Sequence, residues 1–147
     1  MIHQLIYCSR NAMAGNDRDL LKNWGDILAA AHRRNVPNGI TGFLIFDRTW
    51  FVQILEGERT KVAETYARIR LDPRHHSALV INVQDVRARA FENWSMGSAL
   101  RTPAMEEIFL AQGIVGALDP SALRGAQVVQ LARYLLAYDL EKQKKAG

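Results

Sequence analysis

The feature that most constrains this chain is a hairpin that is apolar on both of its faces. Ile40 to Phe46 and Trp50 to Leu55 read as two strands joined by the tight connection Asp47-Arg-Thr49. Side chains alternate along a strand, so Ile40, Leu44 and Phe46 fall on one face and Phe43 and Ile45 on the other. A sheet that is apolar on both sides must be covered on both sides, which calls for a layered α+β domain with helices above and below.

The remaining elements supply those layers. His3 to Cys8 reads as a first strand. Asn16 or Asp17 can cap a helix whose apolar positions Leu20, Trp24, Ile27, Leu28 and Ala31 follow helical spacing. Asn35-Val-Pro37 predicts its end, with Asn38-Gly39 as the turn. After Gly57, Thr60 can cap a second helix carrying Val62, Tyr66 and Ile69 on one side, stopped by Asp72-Pro73. Leu79 to Val86 predicts a fourth strand and Trp94 to Leu100 a fifth. A short helical piece follows Pro103, and a longer helix is expected from Asp119-Pro120-Ser121. The order β-α-β-β-α-β is that of a ferredoxin-like sheet with both helices on one face. The added fifth strand extends it, and the C-terminal helices are left to cover the other face. Two units of one fold are expected, a core over residues 1–100 and a helical extension over 101–147 packing on the sheet.

Composition narrows the function. At 147 residues, with 48% hydrophobic and 23% charged, the chain matches one globular domain. No apolar run approaches the roughly 18 residues of a membrane span, and the opening Met1-Ile-His-Gln predicts no signal peptide. Cys8 is the only cysteine, so neither an internal disulfide nor a multi-cysteine zinc site is available, and a cytoplasmic location is the expectation. The net charge of +4 is spread over Arg33-Arg34, Arg68, Arg70, Arg74, Arg87, Arg89 and the Lys142–Lys145 tail. That is a solvated surface more than a nucleic-acid face, although it suits an anionic ligand. G-x-G-x-x-G, P-loop, G-x-S-x-G and H-E-x-x-H patterns are all missing, the four histidines lack metal-ligand spacing, and Glu56 and Glu58 are expected at an exposed rim. No enzyme and no metal site is expected.

Several polar residues need a reason. Gln53 shares a face with Phe51 and Leu55, which puts an amide into apolar surroundings, where leaving it unpaired costs about 1–3 kcal/mol. Tyr7 on the first strand can partner it, and a sheet-rim glutamine bonded to water or backbone is the plain alternative. Asn35 reads as a turn or cap residue, or as an amide facing a ligand edge of alternating donors and acceptors. Arg74-His75-His76 is either a surface loop or a phosphate contact at a cleft between the two helices. Trp94 and Met96, expected on one face of the last strand, are explained by core packing.

Five segments in order resemble the BLUF family of flavin photoreceptors. They are Leu5-Ile-Tyr-Cys-Ser9, Asn35-Val-Pro-Asn-Gly-Ile-Thr-Gly42, Phe51-Val-Gln-Ile-Leu-Glu-Gly57, Asp72-Pro-Arg-His75 and Arg89-Ala-Phe-Glu-Asn-Trp-Ser-Met96. The resemblance covers about the first 100 residues, and no shared motif continues beyond about Arg101. It implies a non-covalently held FAD, with FMN or riboflavin as alternatives. It implies Tyr7 as photoactive electron donor and Gln53 as the switching amide between that tyrosine and the flavin. Asn35 would pair with the ring, Ile27 and Ile69 would sandwich it, and Arg74 and His75 would meet its ribityl or phosphate end. Ser9 and Arg34 complete the ligand-facing set, and Trp94 and Met96 would relay the signal.

The function so implied is blue-light sensing. Electron and proton transfer from Tyr7 through Gln53 would rearrange the hydrogen bonds to the flavin C4 carbonyl. No effector domain is recognisable in the sequence, so the signal is expected to leave through the fifth strand and C-terminal helices to a protein partner or a homo-oligomer, with no nucleic acid or membrane involved. The competing readings are a flavin-dependent oxidoreductase, marked by nicotinamide turnover, and a colourless ferredoxin-like module binding RNA or protein, marked by salt-dependent association.

Overall fold

A computed structural model describes residues 1–13, 15–119 and 122–146. Five strands form one sheet: β1 (Ile2–Asn11), β2 (Thr41–Phe46), β3 (Trp50–Gly57), β4 (His75–Val86) and β5 (Gly97–Leu100). Their order is β4-β1-β3-β2-β5, antiparallel except for the parallel β2–β5 pair. Helices α1 (Asp17–Asn38) and α2 (Arg59–Ile69) follow β1 and β3, as a ferredoxin-like fold requires. A 3-10 turn (Pro103–Met105), α3 (Glu106–Ala111) and α4 (Gly125–Ala146) complete the chain.

The two-faced hairpin divides the interior into two cores. Leu5, Tyr7, Ile40, Leu44, Phe46, Phe51 and Leu55 pack under Leu20, Trp24, Ile27 and Leu28 of α1 and Tyr66 and Ile69 of α2. On the opposite face Ile6, Cys8, Phe43, Ile45, Val52 and Ile54 pack under Met105, Phe109, Val128, Leu131 and Leu135 of the C-terminal helices. Both faces of the sheet's centre are therefore covered, and β3 and β2 are buried along almost their whole length, whereas edge strand β4 leaves Leu79, Val80 and Val83 exposed.

Several boundaries differ from expectation, each for a local reason. Helix α1 continues through Pro37 to Asn38: the proline removes one donor near the helix end, while Asn38 Nδ2 donates to the Arg34 carbonyl and Gly39 N–H to the Asn35 and Val36 carbonyls. Gly39 makes that closure in the left-handed region at φ 64°. At the other end Asn16 is the N-cap, in a reciprocal capping box with Asp19. Helix α2 is capped by Glu58, not Thr60: its carboxylate accepts from Thr60 N and Lys61 N, which holds its pKa below the usual carboxylate range.

Strand β4 begins at His75 instead of Leu79, pairing His75 and His76 with Asn11 and Arg10 across a bulge that contains Ser77 at φ 58°. Strand β5 is confined to Gly97–Leu100, so Trp94 and Met96 precede it and do not share a strand face. The last helix starts at Gly125; Pro120 and Ser121, where it was expected, lie outside the described residues. Glu56, expected at an exposed rim, is fully buried.

Gly42 is required by close approach. A Cβ there would sit 1.9 Å from the Ile54 carbonyl oxygen, an atom fixed in the β3 backbone. Gly42→Ala is expected to cost about 3 kcal/mol or more. Thermal denaturation should show this as a melting temperature lowered by roughly 6–12 °C; an unchanged value would mean that β2 and β3 can move apart freely.

Candidate functional site

Between α1, α2 and the sheet lies a cavity of about 560 Å³, within the range of roughly 300–1,000 Å³ typical of ligand pockets. Ile27 and Ala31 of α1 and Ile69 of α2 provide apolar walls, and Leu44, Phe51 and Tyr7 form the floor on the sheet. Asn35, Gln53, Thr65, Arg34, Arg68, Asp72, Arg74 and His75 supply the polar groups. A flat, largely apolar ligand with polar edges fits this lining.

Tyr7 and Gln53 are direct cross-strand partners in the β1–β3 pairing. The Tyr7 hydroxyl donates to Gln53 Oε1, and Gln53 Nε2 donates to Met96 Sδ at 3.3 Å, so both ends of the buried amide are engaged. Burial first, then the neighbouring Tyr66, Asp72 and Cys8, drive the Tyr7 pKa far above its ordinary value. That direction favours the protonated phenol, which is the form that donates to Gln53.

Asn35 is buried in the last turn of α1, with Nδ2 donating to the Ser95 carbonyl at 2.7 Å. His75 is held from both sides. The Ile69 carbonyl can only accept, so Nε2 donates to it at 2.6 Å, while Nδ1 shares a hydrogen bond with Ser9 Oγ at 2.6 Å. The ring also stacks on Phe51 at 5.7 Å. Both nitrogens thus have protein partners, and the ring stays part of the cavity lining. Ser9 stands behind His75, outside the cavity lining, and reaches the cavity through that ring.

At the rim, Arg74 Nε and Nη2 grip the Asp72 carboxylate at 2.9, 3.0 and 2.5 Å. That pairing lowers the Asp72 pKa and raises that of Arg74. With Arg34 exposed and Arg68 half-buried in the same lining, three guanidinium groups face one carboxylate, a balance that suits an anionic ligand end. Thr65 and Arg68 join the lining without any motif in the sequence that marks them, and Asp72 joins it from the Asp72-Pro-Arg-His75 segment; the helical spacing of Thr65, Arg68 and Ile69 on α2 is the available signal.

Trp94 and Met96 lie on different sides. Met96 is buried with Tyr7 and Leu44, whereas Trp94 packs against the core beneath the C-terminal helices. Among the described residues no group of three His, Cys, Asp or Glu side chains is placed to hold a metal, and no helix is long and apolar enough to cross a membrane.

Fold and cavity together define a ligand-binding α+β domain with a buried phenol–amide pair at its wall. Comparison with known proteins specifies the class. The sequence profile described as "BLUF: Sensors of blue-light using FAD" matches residues 2–97. The chain is 33% identical over 91 residues to the blue light- and temperature-regulated antirepressor BluF of Escherichia coli (strain K12), covering 62% of this chain and 22% of that protein. It is 38% identical over 74 residues to the photoactivated adenylate cyclase subunit beta of Euglena gracilis, covering 50% of this chain and 9% of that one. It thus spans less than a quarter of these curated relatives. Among solved structures, the photo-activated state of BlsA superposes with a TM-score of 0.78 at 30% identity, over 92% of this chain and 95% of that one. The dark state of BlrB, a BLUF protein, superposes with a TM-score of 0.76 at 29% identity, over 93% and 96%. The chain belongs to the BLUF family of blue-light photoreceptors, whose chromophore is FAD.

The rim ion pair has a pH signature. The Asp72 pKa is depressed in the fold, so its stabilisation is fully present above the ordinary carboxylate value near 4 and lost as pH falls through the lowered one. Melting temperatures of the chain and of Asp72→Asn should converge as pH drops from about 4 to 2; parallel curves would show the pair contributes nothing.

Proposed function

We propose that this chain works as a photosensor in which Tyr7 and Gln53 carry the primary light chemistry, and that it acts by sensing and not by turning over a substrate. The observation that supports this most is the Tyr7 hydroxyl donating to a buried Gln53 amide whose other end meets Met96, all at the wall of a ligand cavity. Asn35, Ile27 and Ile69 are the residues to hold the isoalloxazine, with Arg34, Arg68 and Arg74 at the phosphate end of the flavin. A flavin bound there supplies a strong one-electron oxidant when excited by blue light. Tyr7 gives up an electron, and its phenolic proton passes to Gln53 along the existing hydrogen bond. The electron and a proton return to Tyr7, so nothing is consumed; a proton returned from Oε1 leaves Gln53 an amide free to rotate, and one returned from Nε2 leaves its imidic tautomer.

Rotation has a direct structural consequence. Turning the amide end for end points Oε1 at the Met96 thioether, setting acceptor against acceptor. Met96 loses its donor and is pushed from the buried cluster, and Trp94, two residues away and packed on the other core, moves with it. Rearranging one or two hydrogen bonds is worth about 1–2 kcal/mol, a roughly tenfold shift in a two-state equilibrium. Such a bias suits docking of a protein partner, or self-association, through the 101–147 helices.

The decisive measurement is an absorption spectrum of the FAD-loaded protein in the dark and after blue light. A small red shift that reverses in the dark is expected. Tyr7→Phe should retain the flavin and lose the shift, since the ring without its hydroxyl has no proton to pass; a normal photocycle in that variant would refute the mechanism. Steady oxidation of NADH would favour an oxidoreductase. Light scattering at tens of micromolar should show at least a dimer in the dark or lit state, and a monomer in both would refute self-association.

A further inference from the structure

Residues 87–96 carry the chain from β4, at one edge of the sheet, to β5 at the other. Ala90 and Phe91 lie in the core beneath the C-terminal helices, and Met96 ends in the core on the cavity side. One segment therefore touches both layers. Strand β3 grips it at two points. Near the cavity, Gln53 Nε2 meets Met96 Sδ, while Asn35 Nδ2 bonds the Ser95 carbonyl and Gly42 N the Trp94 carbonyl at 3.0 Å.

The second grip is Glu56. Its Oε2 accepts from Ala90 N at 2.8 Å and from Gln4 Nε2 at 3.0 Å, and its Oε1 accepts from Phe91 N at 2.9 Å. Arg89 Nη1 reinforces the same point, donating to the Glu56 carbonyl at 3.0 Å and to Thr41 Oγ1 at 2.9 Å. A fully buried carboxylate is costly, and it is retained only where its bonds are complete. Two successive backbone N–H groups, each met by a different oxygen of one side chain, demand an acceptor-only group. Glutamine would turn an NH2 toward one of them. Gln53 and Glu56 are three residues apart, so they project from opposite faces of β3.

We infer that Glu56 is a positioning residue for signal relay. It pins the segment at Ala90 and Phe91, so that a change at Gln53 is expressed as movement of Trp94–Met96 and is not absorbed by the whole segment sliding. This rests on the photosensor reading above. Without the pin, the segment gives along its full length and the C-terminal helices receive little of the change.

The test is hydrogen–deuterium exchange on the full FAD-loaded chain, dark and lit, for wild type and Glu56→Gln, with absorption recorded in parallel. In wild type, light should raise exchange around residues 94–97 and in the C-terminal helices while Ala90 and Phe91 stay protected. Glu56→Gln should keep the red shift, because Tyr7 and Gln53 lie on the other face. It should lose protection at Ala90 and Phe91 by about tenfold, as expected for one charge-assisted bond, and lose most of the light-dependent change in the C-terminal helices. A purely stabilising carboxylate would lower the melting temperature and leave the light-minus-dark pattern intact. A red-shifting Glu56→Gln chain with the wild-type pattern overturns the inference alone, and a wild type with no red shift overturns the photosensor reading and the inference with it. Should Glu56→Gln fail to fold, Arg89→Met loosens the same anchor and is judged by the same pattern.

Discussion

Burial of the central sheet on both faces is the constraint from which the rest of the structure follows. A half-exposed sheet could have stopped at α2, with its second face in water. Here Phe43, Ile45, Val52 and Ile54 would then stand exposed, so the chain continues into α3 and α4, which cover them. The cavity and the C-terminal helices consequently lie on opposite sides of the same strands. Influence of one on the other can cross the strands β1, β2 and β3, each of which contributes to both cores, or travel through residues 87–96, which also reach both.

Inside such a sheet polar groups survive only as closed sets of hydrogen bonds. Among the described residues, such sets include three that cross the strands and end outside the sheet. Tyr7, Gln53 and Met96 form one at the cavity wall, and Ser9, His75 and the Ile69 carbonyl form a second beside it. Gln84, Gln4 and Glu56 form a third, which ends on the backbone of Ala90 and Phe91. Each joins neighbouring strands to a segment outside the sheet, so each fixes a connection as well as satisfying itself. Arg101 does the same at the far end of β5: it pairs with Asp47 and Glu106 and lies over the Phe109 ring at 4.3 Å, tying the hairpin turn to α3.

The layering was legible in the sequence because it depends on period-two patterning, which the hairpin displays on both faces. Gln53 was legible for a related reason, being a polar residue at an apolar position of that pattern. The misses came where tertiary partners override local signals. Glu56 looks like a rim residue because its neighbours Gly57 and Glu58 mark a strand end, and nothing local announces the two N–H groups that arrive from 34 and 35 residues further along the chain. His75 and His76 read as a loop because polar residues after a proline usually are one, yet the extended end of β1 supplies their partners. Pro37 reads as a stop because its own missing donor is visible in the sequence, while the compensating bonds from Asn38 and Gly39 are not. The spacing of Trp94 and Met96 predicts a common face, which holds only within a strand, and β5 begins after both.

The placement of those two residues bears on how far a small change can travel. Met96 sits in one core and Trp94 in the other, with Ser95 between them tied to Asn35 through its carbonyl and to His32 through its hydroxyl. Close-packed interiors respond to a displaced side chain in discrete steps, because a void left on one side must be filled from the other. On the proposed reading, removing the Gln53 donor from Met96 therefore has two available outcomes: the thioether stays in a site that has lost its partner, or the segment shifts and both cores repack. A hydrogen-bond change of about 1–2 kcal/mol is enough to choose between such states only if they already lie within a similar margin of each other. That closeness is a property of the whole segment, its anchors included, and not of the Tyr7–Gln53 pair alone.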